Sequence, residues 1–186
     1  MDAAKNYFAY PYFVAKHDST FLIQAKFLRM WITFLRHMAY NLAIGFGIGR
    51  LPKAPGTYGT CVGVLGYLAI SGVSLPVYLV ITSGVILVGI VICGEAARQL
   101  GAHDHPSIVW DEIAGFLVSM IAAPPGMIWI FVGFILFRLF DILKPWPICW
   151  LDQQVHGGLG MMLDDVAAGL AAGLCLQLVA HSIGHF

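Results

Sequence analysis

Ten consecutive residues, His103-Asp104-His105-Pro106-Ser107-Ile108-Val109-Trp110-Asp111-Glu112, hold two imidazoles, three carboxylates and a hydroxyl in an otherwise apolar neighbourhood. Acids that dense beside lipid-soluble sequence are costly unless something uses them. Asp111 and Glu112 are neighbours, and on a helix they point about 100° apart. One could bind a cation while the other orients a ligand, a water or a basic residue. Helix-dipole stabilisation explains one acid at a helix start, but explains Asp104, Asp111 and Glu112 together less well. His103-x-His105 suggests zinc, yet no third nitrogen or sulfur ligand has the usual spacing. The abundant donors are carboxylates, which favour magnesium or manganese. Proton transfer or phosphate contact suits one of these histidines, and a solvated interfacial position suits the pattern equally.

Two later clusters have matching chemistry. Arg138, Asp141 and Lys144 recur at i, i+3, i+6, along one broad face at the end of an apolar stretch. They form either a self-neutralising ladder, or two cations for phosphate oxygens with one acid for a metal. His156-Gly157-Gly158-Leu159-Gly160 reads as a tight glycine-rich loop. Asp164-Asp165 then opens the last helix, with Asp164 either its N-cap or, beside Asp165, a metal ligand. Residues 41–60 carry five glycines and two prolines, which excludes a regular helix and leaves a loop containing Arg50 and Lys53. Such a loop can turn backbone N–H groups toward a phosphate, or simply connect.

The elements that position these groups are apolar. The chain has 186 residues, 59% hydrophobic and 11% charged, against about 25% charged in soluble domains. That composition predicts a membrane protein. Formal net charge is zero, but seven of ten Lys/Arg lie in residues 1–53 and seven of ten Asp/Glu lie after residue 100. The basic N-terminal part suits an anionic membrane surface, and the acidic part suits a cation. Cys61, Cys93, Cys149 and Cys175 are far apart in apolar sequence, which predicts reduced, buried thiols. Cys93 to Arg98 is one residue short of the C-x5-R phosphatase loop. No apolar leader is visible in the first 20 residues.

Residues 1–18 read as a surface segment. From Ser19 the spacing predicts a helix with a narrow stripe of Lys26, Arg29, Thr33 and Arg36, the pattern of a basic helix lying in the membrane interface or packed on the domain. Breaks at 71–76 and 122–126 divide the uncharged runs into hydrophobic helices near 57–72, 76–99, 107–123 and 127–145, with a last one over 166–186. A helix of about 20 residues crosses a bilayer. The fold class expected is all-α: a polytopic bundle of about five hydrophobic helices (residues 41–186) preceded by an amphipathic interfacial helix (residues 1–40). If each break turns at the far surface, all ten Lys/Arg and all three polar clusters fall on one side, which the positive-inside tendency makes cytoplasmic.

Five stretches carry a family resemblance: Gly45-Phe-Gly-x-Gly49, Pro55-Gly56-Thr57-x-Gly59, His103-Asp-His-x-Ser-Ile-Val-Trp-Asp-Glu112, Arg138-x-x-Asp-x-x-Lys-Pro-Trp-Pro147, and Val155-His-Gly-Gly-x-Gly160 with Asp164-Asp165. The chain resembles the phosphatidylglycerophosphatase A family of bacterial membrane lipid phosphatases over about residues 41–170. The resemblance implies magnesium-dependent hydrolysis of phosphatidylglycerophosphate to phosphatidylglycerol and phosphate, at the bacterial inner membrane, with the site facing the cytoplasm and no nucleic-acid partner. On that reading Asp111, Glu112, Asp141, Asp164 and Asp165 hold or orient Mg2+. Arg138, Lys144 and Lys53 hold phosphate, and His103, His105 or His156 moves a proton. Asp104 is a candidate aspartyl nucleophile. Water attack and a covalent intermediate both remain open. The rival readings are a small cation-coupled transporter, a salt-bridged membrane scaffold, and a phosphatase for another lipid phosphate such as phosphatidic acid.

Overall fold

A computed structural model describes residues 19–102 and 105–184. The expectations for residues 1–18, His103 and Asp104 lie outside the described residues. Within them the chain is all-helical: α1 (Ser19–Ala43), a 3-10 segment (Gly45–Arg50), α2 (Pro55–Ile70), α3 (Leu75–Leu100), α4 (Trp110–Ser119), α5 (Met127–Leu143), α6 (Ile148–Gln154) and α7 (Gly157–Ser182). By internal packing the chain divides into Met1–Phe34 and Leu35–Phe186. The second unit contains the three polar clusters.

Within that unit α7 is the central element. α3, α4, α5 and α6 pack against it, and α2 packs on α4. Between helices in lipid, close packing does more than apolar burial, so small residues mark the seams. Ala168, Ala172, Leu176 and Ala180 follow one another every four residues along α7 and are all fully buried. A Cβ on Gly169 would strike the Gly115 carbonyl oxygen, and one on Gly115 would lie 2.6 Å from Phe137. These glycines let α4 and α5 approach α7. Phe116 and Phe137, both fully buried, meet edge to face at 6.4 Å. Outward faces are aliphatic instead: Leu170, Leu174 and Leu178 on α7, and Val80, Leu87 and Val91 on α3, are exposed.

Among the described residues two helices, α3 and α7, are long and apolar enough to cross a membrane; at 26 residues each they are about 39 Å long. The five apolar stretches do form helices, but not five full spans. α4 has ten residues where 107–123 was expected, about 15 Å of rise, because Met120–Ala123 turn back on the helix end. α7 begins nine residues earlier than expected. The run His156–Gly160 is therefore the N-cap and first turn of α7 rather than a loop. Its glycines serve close approach: a Cβ on Gly158 would lie 2.6 Å from the Gly94 backbone nitrogen of α3. Asp164 is accordingly not an N-cap; it and Asp165 sit in the third turn. The four cysteines are free thiols, but only Cys93 is buried as expected; Cys61 is exposed, and Cys149 and Cys175 are half-buried.

Candidate active site

Four elements wall a cavity of about 270 Å³ in the second unit. α4 contributes Asp111 and Glu112 from its first turn, and α5 contributes Arg138 and Asp141 from its last turns. Lys144 caps α5, and α7 contributes Asp164 and Asp165. Ala54, Pro55 and Gly56 close the wall at the start of α2. Lys144 adopts a left-handed conformation (φ 41°), which costs a non-glycine residue of order 1 kcal/mol. That turn carries its amine back to two carboxylates, Asp164 at 2.6 Å and Asp152 at 2.7 Å. Burial pulls the Lys144 ammonium down, but these carboxylates outweigh burial and hold the group above its ordinary value.

Arg138 pairs with Asp141 at 2.6 Å, both largely buried. Its guanidinium also reaches Thr60 Oγ1 at 3.5 Å, while its Nε is buried with no hydrogen-bond partner. Both cations of the cavity are thus ion-paired, Arg138 with Asp141 and Lys144 with Asp164 and Asp152. Asp111, Glu112 and Asp165 converge, with one oxygen of each within 4.8 Å of the others. Asp111 and Asp165 are buried, and Glu112 Oε2 is buried without a partner. Five carboxylates and two cations among the described lining residues leave a formal excess of three negative charges. Buried like charges at this spacing are unfavourable until a proton or a cation joins them. An all-oxygen donor set with two buried members and an unpartnered oxygen fits a hard divalent cation such as magnesium.

The structure therefore brings seven of the sequence candidates to one cavity: Asp111, Glu112, Arg138, Asp141, Lys144, Asp164 and Asp165. Three others stand apart from its walls. His105 accepts the Ser107 N–H through Nδ1 in the turn before α4. His156 caps α7, eight residues and about 12 Å of helix from Asp164. Lys53 is exposed in a left-handed turn ahead of Ala54. Two contributors were not anticipated. Asp152 reaches Lys144 only because α6 folds back, and a separation of eight residues has no helical signature. Gly56 works by lacking a side chain: a Cβ there would strike Glu112 Oε1 and approach Arg138 Nη1 to 3.0 Å. The signal was the row Gly56, Gly59 or Thr60, and Gly63 on one face of α2.

Gly56→Ala should therefore misplace two working side chains without opening the core. The atoms displaced are the mobile ends of Glu112 and Arg138. A shift of about 1 Å costs about 100-fold in rate, while stability should change by less than about 1 kcal/mol. Turnover and a thermal scan on the same preparation check both halves.

The phosphatidylglycerophosphatase A profile matches residues 41–180. The chain belongs to the phosphatidylglycerophosphatase A family. The cavity walls fall wholly inside the matched residues. The Escherichia coli phosphatidylglycerophosphatase A is 38% identical over 141 residues, 75% of this chain and 82% of the relative. The Haemophilus influenzae phosphatidylglycerophosphatase A is 42% identical over 133 residues, 70% of this chain and 82% of the relative. A Bacteroides thetaiotaomicron protein, provisionally named a phosphatidylinositol-3-phosphatase, is 31% identical over 150 residues, 77% of this chain and 94% of its own length. No solved structure matches the chain. Family members are phosphatases, and the buried cluster of acids beside Arg138 and Lys144 is chemistry that a phosphate ester needs.

Proposed function

We propose that this protein hydrolyses phosphatidylglycerophosphate to phosphatidylglycerol and inorganic phosphate, as a step of phospholipid biosynthesis at the cytoplasmic face of a bacterial inner membrane. The observation that carries the proposal is the convergence of Asp111, Glu112 and Asp165 within 4.8 Å, in the cavity that Arg138 and Lys144 also line. The names of the Escherichia coli and Haemophilus influenzae relatives supply the substrate. Asp111, Glu112 and Asp165 would hold Mg2+, which when bound neutralises phosphate charge and makes a nucleophile of water at neutral pH. Arg138 keeps an unpartnered Nε–H to donate to a phosphate oxygen, a charge-assisted bond stronger than a neutral one. Lys144 adds a second positive charge, fixed in place by Asp152 and Asp164. Asp141 orients Arg138. With His105 and His156 away from the cavity walls, a carboxylate oxygen such as Glu112 Oε2 is the proton acceptor that fits among the described residues.

Most of the working groups lie at helix ends, in the first turn of α4 and the last turns of α5, and Asp164 and Asp165 lie in the third turn of α7, in its N-terminal third. A transport pathway would instead place its acids near the bilayer midplane, so this arrangement favours a surface reaction. A different lipid phosphate is the second reading, because the Bacteroides relative carries the name of an enzyme with another lipid substrate. Phosphate release from phosphatidylglycerophosphate in detergent micelles, with Mg2+ and with EDTA, set against phosphatidic acid, tests both. The expected result is release with Mg2+, its loss in EDTA and a clear preference over phosphatidic acid. Equal release with EDTA would remove the metal role, and no release from either lipid would remove the enzyme reading.

A further inference from the structure

Nearly all of α1 lies outside the residues that match the family, and its exposed surface is apolar. Leu22, Ile23, Phe27, Leu28, Met30, Trp31, Ile32 and Phe34 are all exposed. At 100° per residue the apolar side chains from Ile23 to Leu35 sweep an arc of about 220°, broken by Gln24. Lys26, Arg29 and Thr33 fall together with Leu22 in a narrow sector opposite that arc, and α1 contains no acidic residue. Trp31 sits between Phe27 and Phe34, with edge-to-face contacts at 5.9 and 6.0 Å, so the three rings form one rigid apolar ridge. Two cations cut into this surface too centrally for a span, since each charge at the bilayer centre costs about 3 kcal/mol.

We propose that residues 22–34 form a basic amphipathic foot that lies in the interface of an anionic bilayer, with the Phe27–Trp31–Phe34 ridge in the acyl region and Lys26 and Arg29 among lipid phosphates. The commitment to anionic lipid rests on charge: the polar edge offers only cations, and a neutral apolar surface would leave both without counter-charges. A second copy of this chain would bring the same cations together. The foot acts independently of the phosphatase reading, since its contact is with bulk lipid rather than with the cavity.

The test uses the full chain reconstituted in vesicles of neutral phosphatidylcholine, and in vesicles with about one third anionic lipid. Hydrogen exchange of the amides in residues 22–34 is followed by mass spectrometry. Exchange should be slower on the anionic vesicles, and 0.5 M salt should cancel the difference. Lys26→Gln with Arg29→Gln should remove about thirtyfold of the preference, the effect of two cations leaving an anionic surface. The exchange of α7 amides in the same spectra shows that the variant is folded. Equal protection on both vesicles would overturn the proposal. So would protection that follows protein-to-lipid ratio rather than lipid charge, which would mark a second copy as the occupant.

Discussion

Asp165→Asn should lower phosphate release by at least about 10²–10³-fold, the scale of losing a preorganised charge-stabilising group, and should at the same time stabilise the metal-free protein. Asn keeps the shape of Asp and removes only its charge. Asp165 is buried, and its carboxylate lies against those of Asp111, Asp141 and Asp164. Two charges about 5 Å apart repel by about 3 kcal/mol at an effective dielectric constant of about 20. Part of that repulsion is removed in the variant, which should melt higher in EDTA by on the order of 1 kcal/mol of stability. Added Mg2+ should then raise the melting temperature of the parent and leave the variant nearly unmoved. Parallel thermal scans and phosphate release measure all three effects. A variant that retains activity within threefold would show that this carboxylate cluster is not the reaction site.

Lys144→Met should have the opposite effect on stability and a similar one on activity. Its loss strands the Asp164 carboxylate, whose side chain is only 8% exposed, without its cation. Breaking a buried ion pair from one side costs about 3–5 kcal/mol, and the lower end applies here because Lys144 is itself a quarter exposed. The double change Lys144→Met with Asp164→Asn should recover most of the stability, since the buried charge is gone and the Asp152 carboxylate left without its cation is more than a third exposed to solvent. It should not recover turnover, because the positive charge beside the substrate phosphate is still missing. If the double variant regained full activity, Lys144 would be a structural cation alone. A double-mutant cycle on melting temperature and on kcat/KM separates the two roles.

Much of the site was legible in the chain, for a geometric reason. Uncharged runs separated by short breaks can only become helices joined at their ends, and the charges then collect where the helices stop. That reasoning alone singled out Asp111, Glu112, Arg138, Asp141, Lys144, Asp164 and Asp165, the seven charged side chains among the described residues that line one cavity. It was less informative for His105, His156 and Lys53. Each is close in sequence to a wall residue, but proximity along the chain does not say which way a turn points. His105 bonds its own turn through the Ser107 N–H, and Lys53 is exposed.

Glycine was the most misleading signal. A residue without a side chain serves equally to turn the chain or to let two helices touch, and one sequence cannot separate the uses. His156–Gly160 looked like a loop and is the start of α7, with Gly158 set against Gly94 of α3. The same ambiguity hid Gly56, which makes room for Glu112 and Arg138. By itself the sequence determined an all-helical, lipid-compatible chain, its charged clusters and the helix ends at which they gather, because these follow from local periodicity and the cost of burying charge. Only the tertiary structure decided that Arg138 goes to Asp141, that Lys144 is shared by Asp152 and Asp164, and that Asp111, Glu112 and Asp165 come together. Those pairings depend on distances between helices remote in sequence, which are set by how closely the small residues of α2, α4 and α7 allow the backbones to approach.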